Sequence, residues 1–128
     1  KSGVIMAAAL IVDVILCNVI LKNLIARVRP YDVNTAVQVL VAKPKDFSFP
    51  SGHTAASFAS VTALYLAGEK KAVETSLALA ILIAFSRMYL YVHYPTDILG
   101  GVIFGSLSAW IGYRISTKVL LYAMMKKE

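Results

Sequence analysis

"GVIMAAALIVDVILCNVIL", Gly3 to Leu21, holds one charged side chain, Asp13, in an otherwise apolar run. A helix crosses the hydrocarbon core of a bilayer in about 20 apolar residues, with roughly 17 as the lower limit. The run therefore reads as a membrane-spanning helix, and it sets the fold class of the whole chain. Three more segments share its character: Ser51 to Gly68, Ala72 to about Val92, and a last one that opens at "YPTDILGG" and continues to about Met125. Gly68 ahead of Glu69, Lys70 and Lys71 is a helix stop, and Pro95 with Thr96 makes a good helix start. A polar, proline-bearing loop from Ala26 to about Phe49 joins the first two segments. The expected fold is all-α, a bundle of about four transmembrane helices forming a single domain over 1–128.

Composition agrees. Of 128 residues 59% are hydrophobic and 16% charged, with a mean hydropathy of +0.71; ordinary soluble domains run at roughly 45–50% and about 25%. The net charge of +6 is carried by basic residues scattered singly between apolar runs. Without a dense basic stripe interleaved with aromatics, nucleic acid is not an expected partner, and anionic lipid or a phosphorylated substrate fits better. The lone cysteine, Cys17, allows no intramolecular disulfide and reads as a packing residue. The opening residue, Lys1, suggests a processed or trimmed chain. The first apolar run is not a signal peptide, because it lacks a small-residue cleavage site and leads directly into the densest polar cluster.

Small residues recur every four positions at Ala55, Ala59, Ala63 and Ala67, and again at Gly101, Gly105 and Ala109. Each set gives a helix face that a neighbouring backbone can approach closely, and both are read as packing. Orientation follows from charge. Lys22, Arg29 and Arg87 have a chemical task; with these set aside, the positive residues concentrate at Lys1, Lys70, Lys71 and the C-terminal end. The positive-inside rule then places the hairpin between the second and third helices in the cytoplasm, and both histidines outside.

On that outer side lie "KNLIARVRP", "PSGH" and "SRMYLYVHYPTD". Ionisable residues at the ends of membrane helices are costly, and several meeting at one depth mark a functional site. Asp97 follows His93 by four positions across Pro95, so its carboxylate can turn back and orient the imidazole as in a catalytic triad. His53 and Gly52 stand where a helix begins, and its first N–H groups face a bound anion. With Ser51, and with the planar guanidinium forks of Arg29 and Arg87, they make a phosphate cradle. The chemistry implied is phosphoryl transfer, with His93 attacking phosphorus and His53 as general acid and then base. Two histidines and Asp97 are too few ligands for a zinc or di-iron centre, so no metal or other cofactor is expected.

These blocks resemble the three signatures of the type 2 phosphatidic acid phosphatase family: Lys, six residues, Arg-Pro; Pro-Ser-Gly-His; and Ser-Arg, five residues, His, three residues, Asp. All eleven specified positions are filled, in order and at the family's spacings. The resemblance implies an integral membrane phosphatase that needs no metal and works through phosphohistidine. Lys22, Arg29, Ser51, Gly52 and Arg87 would bind phosphate, His93 would be the nucleophile, Asp97 its partner and His53 the acid. It also implies a lipid phosphate or diphosphate substrate, of the undecaprenyl diphosphate, phosphatidate or phosphatidylglycerophosphate type, met at the outer face of the cell membrane. Members usually have six helices; four are read here, the usual first two being absent.

Two rival readings are a vanadate-dependent haloperoxidase, whose pocket the family resembles, and a non-catalytic membrane module. Four apolar helices argue against the first and the complete signature set against the second. Asp13, nine residues before Lys22, is expected on the opposite helix face. Arg27, Lys43 and Lys45 are read as solvated loop residues, with contact to a lipid head group as the alternative, Tyr31, Tyr89, Tyr91 and Tyr94 as an interfacial belt, and Phe47 and Phe49 as loop anchors at the interface. Turnover should be bell-shaped or flat around weakly acidic to neutral pH.

Overall fold

The computed structural model describes residues 1–127. Among them the chain is helical, with no strand. Helix α1 (Ser2–Asp13) continues without a break into a π-helical stretch, Val14–Leu21, and then α2 (Lys22–Ile25). Ala26, in the left-handed region at φ 49°, ends this first rod. A single turn, α3 (Pro30–Val33), interrupts the loop. Three helices follow: α4 (Gly52–Ala67), α5 (Lys70–Tyr89) and α6 (Pro95–Met125). Ser51 caps α4 by accepting a hydrogen bond from Thr54 N, and Gly68, at φ 85°, closes it. These are ordinary start and stop devices for a helix.

The region Ser2–Val33 and the helices α5 and α6 are long and apolar enough to cross a membrane. With 16 residues, α4 falls short of that length. It packs on α1, α5 and α6, burying Thr54, Ala55, Ala59, Val61 and Ala63 against protein. The outward faces carry Ile11, Ile15, Ile81, Leu82, Ile103, Leu107 and Trp110, all exposed. Apolar surface on this scale marks a face that meets lipid or further protein.

The core is thin because the backbones approach closely. Ile5, Ala9, Ala59, Ala63 and Ala109 form its buried centre. A Cβ on Gly105 would run into the carbonyl of Ala55, and one on Gly112 would lie 2.6 Å from Ala9 N. Both small-residue stripes are therefore contact faces, Gly105 seating α6 on α4 and Gly112 seating α6 on α1.

The π-helical stretch corrects one expectation. In an α-helix nine residues leave Asp13 and Lys22 a half turn apart. In a π-helix, with its i to i+5 bonds and roughly four and a half residues per turn, nine residues come close to two whole turns. Asp13, Cys17 and Lys22 accordingly share one buried face, at 1%, 0% and 4% exposure. The wide turn is what carries Lys22 into the interior.

Candidate active site

A cavity of about 500 Å³ lies at the end of the bundle where the π-helical stretch, α2, the loop, α4, α5 and the turn between α5 and α6 meet. Its walls include Lys22, Arg29, Gly52, His53, Arg87 and His93, and also Asn18 and Asp46. Six of the eight residues expected at the site thus line one space. Asp97 lies behind His93, fully buried. Ser51 is also buried and outside the lining, its oxygen engaged as the cap of α4.

The cavity wall is built by local rules. Gly52 and His53 form the first turn of α4, whose N–H groups have no acceptor within the helix. Gly52 lets the chain pass close to its neighbours, since a Cβ there would sit 3.1 Å from Asn18 Oδ1 and 3.9 Å from Lys22 Nζ. Pro95 stands at the first position of α6, and Asp97 closes a capping box with Tyr94, its carboxylate accepting from Tyr94 N at 2.9 Å. The same carboxylate oxygen faces His93 Nδ1 at 3.3 Å.

Asp97 is the centre of the hydrogen-bond network. Oδ2 also accepts from the Ser48 hydroxyl, and Oδ1 accepts from Arg27 Nη1 at 2.7 Å. Arg27 additionally donates to Thr96 Oγ1 at 2.6 Å and lies over the rings of Phe49 and Tyr94. Arg27 is therefore no free loop cation. Its partner is the buried carboxylate seventy residues away, and neither helical period nor spacing announces that pairing. Backbone bonds from Ser51 N to Asp97 O and from Ser48 N to Arg27 O fasten the same segments together.

Arg29 Nη1 meets His93 Nε2 at 3.3 Å. A guanidinium only donates, so Nε2 accepts and Nδ1 carries the proton that faces Asp97. That is the tautomer a nucleophilic Nε2 needs. Burial pushes the His93 imidazole below its ordinary pKa; the Asp97 hydrogen bond opposes this, while the charges of Arg29 and Lys22 reinforce it.

Sequence reasoning passed over Asp46. Its Oδ2 accepts from Lys22 Nζ at 2.7 Å and its Oδ1 from Arg29 Nη2 at 2.6 Å. Partial burial works to raise the pKa of this carboxyl, but the hydrogen bonds and charges of Lys22 and Arg29 win and hold it below the usual range. Two aromatic expectations change as well. Tyr31 is buried, its hydroxyl donating to Pro44 O at 2.7 Å. Phe49 turns inward onto Gly100 and stands edge to face with Phe104 at 6.3 Å. Phe47 and Tyr89 remain exposed.

The signature of the PAP2 superfamily matches residues 2–120. The chain belongs to that superfamily. Among PAP2 relatives, phosphatidylglycerophosphatase B of Bacillus subtilis is 40% identical over 72% of this chain and 47% of its own length. The undecaprenyl-diphosphatase of Sulfolobus acidocaldarius is 28% identical over 91% of this chain and 56% of its own. A lipid A 4'-phosphatase of Bacteroides thetaiotaomicron is 32% identical over 81% and 49%. The crystal structure of a transmembrane PAP2 type phosphatidylglycerolphosphate phosphatase from Bacillus subtilis superposes with a TM-score of 0.69 at 32% identity, covering 91% of this chain and 60% of that one. The chain spans about half the length of the curated relatives it matches.

Proposed function

We propose that the chain is a lipid phosphatase, removing a terminal phosphate from a lipid monophosphate or diphosphate at the outer face of the cell membrane, through phosphohistidine. The observation that carries this reading is the cavity itself. A buried histidine backed by a carboxylate faces three cations and the first turn of a helix.

Lys22, Arg29 and Arg87 would hold the phosphoryl oxygens with the N–H groups of α4, and Ser51 would fix that turn in place. His93 Nε2 attacks phosphorus, the N–P bond forms, and the bond to the leaving oxygen breaks. His53, entering as imidazolium, gives its proton to that oxygen. Asp97 meanwhile stabilises the positive ring of phosphohistidine. Water then loses a proton to His53 and attacks phosphorus. The N–P bond breaks, inorganic phosphate leaves, and His93 returns neutral. Positioning and charge neutralisation supply the catalysis, as in phosphoryl transfer generally, and no step calls on a metal.

The relatives' names point to undecaprenyl diphosphate, phosphatidylglycerophosphate or a comparable phosphorylated lipid as substrate. The test is phosphate release in detergent, with EDTA present, from undecaprenyl diphosphate, phosphatidate and phosphatidylglycerophosphate. Release that survives chelation and disappears in His93→Ala is expected. Release lost to EDTA and restored by a divalent metal would overturn the mechanism.

A further inference from the structure

The guanidinium of Arg29 has no N–H left for a substrate. Nε donates to Asp46 O at 2.9 Å, Nη1 donates to Val92 O at 2.9 Å and meets His93 Nε2 at 3.3 Å, and Nη2 donates to Asp46 Oδ1 at 2.6 Å and Phe47 O at 3.2 Å. A guanidinium has five donors, and all are used. Lys22 Nζ gives one bond to Asp46 Oδ2 and one to Phe47 O. By contrast, Arg87 Nε is buried with no partner among the described residues.

Asp46 thus spans Lys22 and Arg29 with its two carboxylate oxygens. Its side chain is 53% exposed while theirs are 5% and 3% exposed, so the carboxylate reaches the buried cations from the mouth of the cavity. No regular element holds it, because the chain between Val33 and Gly52 is irregular.

We propose that Asp46 is a specificity-determining residue: it competes from within the chain for the phosphate position, so that terminal phosphates enter and phosphodiester head groups do not. This rests on reading the cavity as a phosphate site. An incoming phosphate meets Arg87 and the start of α4 first, and gains Lys22 and Arg29 only by displacing the carboxylate. A terminal phosphate carries about −1.5 to −2 charge near pH 7, so the exchange replaces a weaker anion with a stronger one. A phosphodiester has no second ionisable oxygen. It trades one negative charge for another and gains nothing for the cations. At the membrane surface, where phosphodiester lipids are the bulk solvent of the site, that distinction keeps the cavity open to rarer substrates. It also helps product leave, since Asp46 is ready to reclaim its partners.

The test measures inhibition by inorganic phosphate and by phosphatidylglycerol in mixed micelles, on the full-length protein and its Asp46→Asn and Asp46→Ala variants. Thermal unfolding in detergent confirms that each variant is folded. If the internal competitor occupies the site about nine-tenths of the time, its removal tightens phosphate inhibition about tenfold. Phosphatidylglycerol, weak against the wild type, should become a competitive inhibitor of both variants. Asp46→Glu, which keeps the charge, should restore most of the discrimination. A wild type that releases phosphate, with variants whose inhibition by both anions is unchanged or weaker, would overturn the role of Asp46 and leave the phosphatase reading standing. A folded wild type that neither releases nor is protected by phosphate would overturn both.

Discussion

Two stretches of the α4–α6 contact are held by different forces. From the second turn of α4 onward, Gly105 meets the backbone of Ala55, Ala59 and Ala109 are fully buried, and close packing supplies the cohesion. At the start of both helices, Ser51 N bonds to Asp97 O, and Asp97 gathers Ser48, Tyr94, Arg27 and His93 around one carboxylate. The first region tolerates no added volume and contains no chemistry. The second is a network of charge-assisted bonds in which every partner also sets the position of the reactive imidazole. Substitutions in the two regions should therefore separate stability from catalysis.

The largest effect is expected at Asp97→Asn. It removes the charge that supports phosphohistidine and gives His93 Nδ1–H a poorer partner, so kcat should fall on the order of 10³- to 10⁴-fold. Steady-state kinetics on a folded variant checks this. Next comes Arg27→Gln, which leaves Asp97 ionised but without its cation. Misplacement of the dyad should cost about 10- to 100-fold in kcat, with KM little changed. The pH profile adds a sign. His93 must be neutral to attack, and its pKa is lowered by burial, with Arg29 and Lys22 adding to the effect. The acidic limb of kcat/KM in the wild type should lie below the ordinary histidine value of about 6.5. In Arg27→Gln the unshielded carboxylate favours the imidazolium, and the limb should move to higher pH.

Gly105→Ala probes the other region. The helix gains roughly 1 kcal/mol of propensity, but the new methyl group collides with the backbone of α4, and overpacking costs about 1–3 kcal/mol. A net loss of stability in thermal or denaturant unfolding, with kcat per folded molecule unchanged, is the expected result. The smallest effect belongs to the far end of the bundle, where Ser2 Oγ donates to Glu69 Oε1 at 2.6 Å on an exposed surface. Ser2→Ala should change stability by less than about 0.5 kcal/mol and leave turnover alone.

The same contrast explains what could be read before the structure. Helix placement and the small-residue stripes were legible because both depend on periodicity, which a string of residues displays directly. Most of the cavity was legible because His93 and Asp97 are four apart, and because Gly52 and His53 open a helix whose start Ser51 signals. Asp13 departs from the regular α period because the turn is wider across Val14–Leu21. Asp46, Arg27 and Ser48 gave no periodic signal. Their positions come from an irregular loop folded over distant helix ends, and partners seventeen to seventy residues apart are set by tertiary contact alone. Tyr31 and Phe49 turned inward for the same reason, one drawn by a carbonyl and the other by the space over Gly100.

The most direct test of His93 as nucleophile is rapid-quench labelling with a substrate carrying radioactive terminal phosphate, in the wild type and in His53→Ala, followed by peptide mapping at alkaline pH. An acid-labile phosphoryl group on His93 is the predicted result; in His53→Ala it forms more slowly, for want of the acid, and once formed it also decays more slowly, because water is no longer activated. Label on His53 instead, or sustained turnover in His93→Ala, would contradict it.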